Sequence, residues 1–403
     1  MTHVHRPAWQ KNARLAGSIT QIGRHVLWER LANPRPKDPS QVPASTEAFT
    51  TEWLTAVLCK GHPGAQVTSV TLGAASSGSS DRRAFAVTYN EAGQRANLPT
   101  HLFNKCSKGF YTRLLMLQCG TLENEVGFYA VVRPELDIET PRPYSTALDR
   151  HSWRSSIILE DIIATKGAEF FTPLNPVSRT HIEGMLDILA ATHGRYWESP
   201  RLKSEFTWLR TPEEWIGHVE DPIAYERRSG VGMQRAASVI PKSLLGRERE
   251  IYQAFRAGMT VSSQGPLTYL HGDPHCRNYY LTKAGNVGVV DWQVTFRGGW
   301  GHDFAYTMLS SLNVQNRRAW ERDLLAYYLD RLKAYGGTPP APAQAWETYR
   351  RQTMYTFVGW LYTIGFGPLQ PNMQPDTVCL EVIERSAAAV EDLDSIRLLL
   401  EEQ

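Results

Sequence analysis

Residues 267–293 read LTYLHGDPHCRNYYLTKAGNVGVVDWQ, and three side chains in them decide how the chain is understood: Asp273, Asn278 and Asp291. Between the amide and the second acid, YYLTKAGNVGVV is a pair of β-forming runs that turn at Lys283–Asn286. A hairpin there brings Asn278 back beside Asp291, at the open end of its two strands. One amide oxygen and one carboxylate are hard ligands of the kind Mg2+ takes when phosphate oxygens and water complete its shell. Asp273 is then left to face a substrate.

The spacing carries a second message. HGDPHCRN sets His271, Asp273 and Asn278 at the intervals of the protein-kinase catalytic loop, where the Asp accepts a hydroxyl proton and the Asn holds a metal. That chemistry also needs a lysine for the nucleotide phosphates and a helical glutamate to orient it. Lys105, in the strand-like HLFNKCS, is the candidate lysine; a strand-edge lysine that serves only solubility is the plain alternative. Glu125, in ENEVGFY, is the candidate glutamate, with Glu123 as its rival on the same segment. The turn-rich LGAASSGSSDRR, centred on Ser77 and Gly78, can cover phosphates with backbone N–H groups. The strand IILEDI, through Glu160 and Ile162, is the candidate hinge whose backbone edge meets a purine base.

The rest of the 403-residue chain fits this frame. STEAFTTEWLTAVLCKG reads as an amphipathic helix with Ser45 or Thr46 as its cap, followed by the strands VTSVTLG, RAFAVTY and THLFNKCS. GTLENEVGFYAVVRPEL reads as helical. Beyond about residue 165 the spacing is helical almost throughout, in VSRTHIEGMLDILAATHGRYW, HDFAYTMLSSL and AWETYRRQTMYTFVGWLYTIG among others. The expected division is an N-terminal arm (1–45), a β-rich lobe (46–162) and a helical lobe (163–403) that carries the hairpin. Lys and Arg (43) nearly balance Asp and Glu (41), for a formal charge of +2, which argues against a nucleic acid as partner. Five scattered cysteines and the lack of an apolar leader or membrane-length run point to a cytoplasmic protein. Oligomeric state is not legible.

LHGDPHCRN, VGVVDWQ and GHDFAYTML, with FNKCS, ENEVGFY and ILEDI, resemble the aminoglycoside phosphotransferase and choline kinase superfamily, nearer its ecdysteroid-kinase-like branch. The resemblance implies an α+β, bilobal protein-kinase-like fold and ATP- and Mg2+-dependent phosphorylation of a small-molecule hydroxyl. It implies Asp273 as base, Asn278 and Asp291 as Mg2+ ligands and Lys105 on the phosphates, with His271 and Asp303 bracing the loop. Cys276-Arg277 departs from the apolar-Gly pair common in such loops, and Trp292 replaces the Phe of D-F-G. His275 reads as a loop-packing residue and His193 as a helix-end cap. Tyr355, Phe357, Trp360, Tyr362 and Phe366 form an aromatic stripe, most of it core, with one or two members expected to face the acceptor. Two other readings use the same residues. One is a nucleotide-binding pseudokinase scaffold. The other is a metal-dependent phosphoesterase in which His271, Asp273 and His275 alternate as ligands.

Overall fold

The computed structural model describes residues 8–77, 80–367 and 373–401, except the side chains of 8–15, 76 and 77. Gly78 therefore lies outside the described residues, and Ser77 is described only as the last backbone position of a strand. The chain divides into two compact units: residues 1–126 with 142–161, and residues 127–141 with 162–403.

In the first unit, β-branched and aromatic runs build a five-stranded antiparallel sheet. Its members are β1 (Val67–Ser77), β2 (Asp81–Tyr89), β3 (His101–Cys106), β4 (Pro143–Asp149) and β5 (Arg154–Glu160), in the order β1-β2-β3-β5-β4. The strand β4 was not legible beforehand. It begins on Pro143 and lies at the sheet edge, where a missing N–H is tolerated and the strand signal is weak. The helix Thr51–Leu58 covers one face, burying Trp53, Leu54 and Leu58 against Phe85, Val87, Leu102 and Ile158. Its cap is Thr50, whose Oγ1 accepts from the Trp53 N–H at 3.0 Å. Ser45 and Thr46 instead flank a separate 3-10 turn, Thr46–Ala48, because the chain straightens at Phe49 before the helix begins. The N-terminal helix Ala8–Ala32 is tied to this unit by Glu29, which grips the wholly buried Arg113 at 2.6 and 2.8 Å.

The second unit is helical. GTLENEVGFYAVVRPEL, expected to be helical, is a short α-turn (Asn124–Gly127), a π-turn (Phe128–Val132) and a 3-10 turn (Arg133–Glu135) in succession. Small β elements lie among the helices. β6 (Glu169–Phe170) pairs with β8 (Tyr279–Leu281), β8 with β9 (Val287–Val289), and β7 (Thr268–Leu270) with β10 (Phe296–Gly298). The helix Tyr225–Arg235 packs so closely on Thr353–Ile364 that a Cβ at Gly232 would sit 2.0 Å from the Leu361 carbonyl oxygen. The expected helical stretch AWETYRRQTMYTFVGWLYTIG is split at Gln352 into the helices Pro342–Arg351 and Thr353–Ile364. Phe357 and Trp360 are buried in the second of these, while Tyr362 and Phe366 are half-buried. Among the described residues no helix is long and apolar enough to cross a membrane.

Candidate active site

The loop after β7 is held from below by one helix, Gly301–Ser311. Asp303, Thr307 and Ser310 stand one turn apart on a single face of it, and each bonds the loop. Asp303 accepts the His271 N–H at 2.7 Å on Oδ2 and the Gly272 N–H at 2.9 Å on Oδ1. Thr307 donates to the Pro274 carbonyl at 3.1 Å, and Ser310 Oγ accepts the Cys276 N–H at 3.1 Å. All three are fully buried or nearly so, which makes the contacts costly to lose. Gly272 has φ +80, and a Cβ there would meet the Val294 carbonyl oxygen at 1.9 Å. Only glycine fits between the strand and Asp273.

Asp303 is itself anchored. His193 bonds it through Nε2 at 3.1 Å and meets the Tyr328 hydroxyl through Nδ1 at 2.7 Å. His193, in the last turn of the helix Arg179–Arg195, is thus a buried hydrogen-bonding partner of Asp303 and Tyr328 rather than the helix-end cap expected of it. Burial pushes the Asp303 carboxyl upward, but the His193 hydrogen bond and the imidazoles of His193, His302 and His271 hold it below the usual carboxylate range. It is an anion whose lone pairs are occupied by the fold.

Asp273 has the opposite character. Its side chain keeps 31% of its surface open, yet the carboxyl lies deep enough that burial pushes its pKa up to about 8, with Asp291 and Asp303 adding repulsion. A hydrogen bond with Tyr306 works the other way. His271 shapes the backbone here. Its Nε2 donates to the Val290 carbonyl at 2.9 Å while Nδ1 accepts the Asp273 N–H at 3.3 Å. Both ring nitrogens being engaged, His271 is no metal ligand, and the alternating ligand set of a phosphoesterase loses its first member. His275 lies 3.7 Å from Asp273 and packs edge-on against Trp360; burial pushes its imidazole down to about 3, so it is neutral.

The hairpin forms where it was expected. Tyr279, Tyr280 and Leu281 pair with Val289, Gly288 and Val287. Its first strand starts beside Asn278, whose carbonyl accepts the Val290 N–H at 2.8 Å, one residue before Asp291. Asn278 uses its amide N–H2 on the Asp273 carbonyl oxygen at 2.9 Å, which leaves Oδ1 as the end that can meet a cation. Asp291 is in the left-handed region (φ 67, ψ 58), a conformation that costs a non-glycine residue about 1 kcal/mol. What holds it there is Trp292. That ring is wholly buried, stacks on Phe128 at 3.8 Å and 8°, and its Nε1 donates to Thr140 at 3.3 Å. The two hard oxygens on Asn278 and Asp291 fit Mg2+, given phosphate oxygens and water for the remaining positions. Arg277 donates to Gln374.

In the first unit, Lys105 donates to Glu125 at 2.7 Å, with exposures of 6% and 3%. Lys105 lies on an interior strand, so the solubilising reading fails. Glu123 points elsewhere, to Arg150 at 2.6 Å. The hinge candidates lie where β5 ends, at Glu160, and the next helix begins, at Ile162. The Glu160 N–H donates to the Arg142 carbonyl at 2.8 Å and the Asp161 N–H to His101 at 3.3 Å. Ile162 opens a short helix in the second unit and packs on Ala168 and Tyr280.

Residues 119–349 match the model of the phosphotransferase enzyme family. The chain belongs to that family. Its members' reaction is phosphoryl transfer, and this protein is a phosphotransferase. A search of curated proteins finds no match. Among solved structures, the chain is similar to the microcompartment-associated aminopropanol kinase (14% identity, TM-score 0.45, covering 85% of this chain and 98% of that one). It is also similar to the choline kinase of Streptococcus pneumoniae (14%, 0.43, 82% and 94%). A third is the macrolide 2'-phosphotransferase of Brachybacterium faecium (14%, 0.42, 84% and 97%). The family assignment rests on the family match alone.

Thr307, Ser310, Tyr306 and Thr140 had escaped notice. A signal for three of them was present: polar side chains at helical spacing in GHDFAYTMLSS, a helix otherwise apolar enough to be buried whole.

Proposed function

We propose that the protein transfers the γ-phosphoryl group of ATP, with Mg2+, to a hydroxyl of a small molecule, and that Asp273 is the general base. The observation that carries this reading is the contrast between two carboxylates, one on the loop and one on the helix beneath it. Asp303 is held low and saturated with hydrogen bonds, whereas Asp273 is partly open and pushed up to about 8. A base works best when its pKa lies near the working pH, as long as its geometry is fixed. The loop supplies that geometry through Gly272, Asn278 and the Gly301–Ser311 helix.

Asn278 and Asp291 would hold the cation, whose role when bound is to neutralise charge on the nucleotide phosphate oxygens. Lys105, oriented by Glu125, would bind a phosphate oxygen. Asp273 would take the acceptor's hydroxyl proton as the phosphoryl group leaves the nucleotide. Such a transfer depends on positioning and charge stabilisation more than on covalent chemistry.

The acceptor is best read as a neutral, partly apolar alcohol. Tyr306 bonds Asp273, and Tyr225 and Tyr355 are near enough to feel its charge. The nearby Tyr362 already carries a cation of the protein's own, with the Arg228 guanidinium 3.7 Å over its ring. An aromatic wall beside an internal cation suits a polyamine poorly.

The test is a thermal-shift titration with ATP, with and without Mg2+, on the wild type and Asp291→Ala. A ligand that binds only the folded form raises the melting temperature by mass action. A Mg2+-dependent rise that Asp291→Ala loses supports the reading. No rise at saturating ATP overturns it.

A further inference from the structure

The first unit contains a second cation that the reaction as described does not use. Arg82, on β2, is directly opposite Lys105, on β3, in the antiparallel register. Opposite residues of such a pair project to the same face with Cβ atoms about 5 Å apart, and like charges so placed repel. Lys105 has Glu125 at 2.7 Å. Among the described residues no carboxylate pairs with Arg82, and its Nε is buried without a hydrogen-bond partner.

The neighbouring arginine shows that this is not a general property of the hairpin. Arg83 points to the opposite face, where it donates to the Gly73 carbonyl at 2.7 Å and to Glu47 at 2.9 Å. Alternation along the strand therefore separates an arginine bonded through Nε and one Nη from one whose Nε has no partner among the described residues. Ser80, at the same end of the hairpin, repeats the pattern. It is 4% exposed and its hydroxyl also lacks a partner among the described residues. Two buried donors left unmade, beside a lysine, describe a place built for an anion.

We infer that Arg82 is a second phosphate-binding cation, engaging the terminal phosphates of the nucleotide with Lys105, with the Ser80 hydroxyl as a further donor. The inference rests on the nucleotide reading above. Lys105 and the arginine opposite it put two cations on this face, which match a polyphosphate better than an adenosine. A guanidinium adds a planar fork of N–H donors that suits phosphate oxygens. Glu125 fixes the lysine, and among the described residues no equivalent carboxylate fixes the arginine. The phosphate does so when it binds.

The test measures affinities of the full chain for Mg2+·ATP, AMP and adenosine, in the wild type, Arg82→Gln, Arg82→Lys and Lys105→Met. Arg82→Gln should weaken ATP by about 10- to 100-fold, as loss of a charged hydrogen bond does. Adenosine should change by less than about 2-fold, because it presents nothing to the arginine. Arg82→Lys should recover part of the loss, since it keeps the charge without the fork. Unchanged ATP affinity in Arg82→Gln, with a loss in Lys105→Met, sinks this inference and spares the nucleotide reading. Equal losses for ATP and adenosine make Arg82 structural and also sink it. A wild type that binds none of the three removes both.

Discussion

Replacing Asp303 by Asn tests the loop's foundation, because it changes one oxygen and almost no volume. In the wild type the two carboxylate oxygens accept two backbone N–H groups, at 2.7 and 2.9 Å, and the His193 imidazole at 3.1 Å, all fully buried. An amide offers one oxygen. Its N–H2 must then face the His271 N–H or the Gly272 N–H, and a donor meets a donor. Hydrogen bonds to a charged acceptor contribute about 1.5–3 kcal/mol each, and a buried donor left unmade costs about 1–3 kcal/mol. The expected loss of stability is about 3–5 kcal/mol, in the range for breaking a buried charge network. Urea unfolding followed by tryptophan emission would read it as a fall in midpoint without a change in slope. Turnover should fall as well, since Asp273 follows Gly272 directly. There is also a pH signature. The Asp303 pKa is depressed, so its contribution is complete above the ordinary carboxylate value near 4 and is lost as pH falls through the folded value. Asp303→Asn should therefore flatten the acid limb of stability below about pH 4. A loss under about 1 kcal/mol, with wild-type turnover, would refute the claim that this carboxylate supports the loop.

Gly272→Ala should abolish turnover, because its Cβ would lie 1.9 Å from the Val294 carbonyl oxygen; kcat within 2-fold of wild type, by steady-state assay, would contradict that geometry. Trp292→Ala removes a wholly buried ring stacked on Phe128 and should cost about 3–5 kcal/mol in urea unfolding, with Asp291 freed from its left-handed conformation. Glu135 is held down to about 2 chiefly by its hydrogen bonds from Arg201, at 2.8 Å each. That stability is present above about pH 4.5 and is lost as pH falls toward 2; with part of the pair in solvent it amounts to about 1 kcal/mol. Glu135→Gln should remove this part of the acid dependence in a pH series of unfolding midpoints.

How much could be read from the chain alone differs between the two units for a physical reason. The hairpin was visible because a turn flanked by β-forming runs is a local pattern, and the loop because its spacing is local too. The edge strand β4 was hidden by its own leading proline. The helix Pro212–Val219 was passed over although Thr211 and Glu214 form a complete capping box at its start. The Lys105–Glu125 pair could be nominated but not separated from Glu123, since only the turn after the helix Gly109–Cys119 decides which glutamate faces the strand. His193 and Tyr328 lie far from Asp303 in sequence, and no local pattern joins them.

The loop carboxylate Asp273 and the helix carboxylate Asp303 beneath it show what such patterns leave out. Spacing and family resemblance nominate Asp273 as a base and Asp303 as a brace, but they do not say what physically separates the two carboxylates. Their surroundings do. Asp303 lies among three imidazoles and two N–H donors, so ionisation is favoured and the charge is immobile. Asp273 has Tyr306 as its hydrogen-bonding side chain and two other carboxylates as neighbours, so its charge is disfavoured and its proton affinity raised. Divergent environments of this kind separate acid–base roles in many active sites. One of those two neighbours, Asp291, is itself in a left-handed backbone conformation that costs about 1 kcal/mol. On the proposed reading, a divalent cation held by Asn278 and Asp291 would relieve the repulsion that raises Asp273, which a neutral ligand would not.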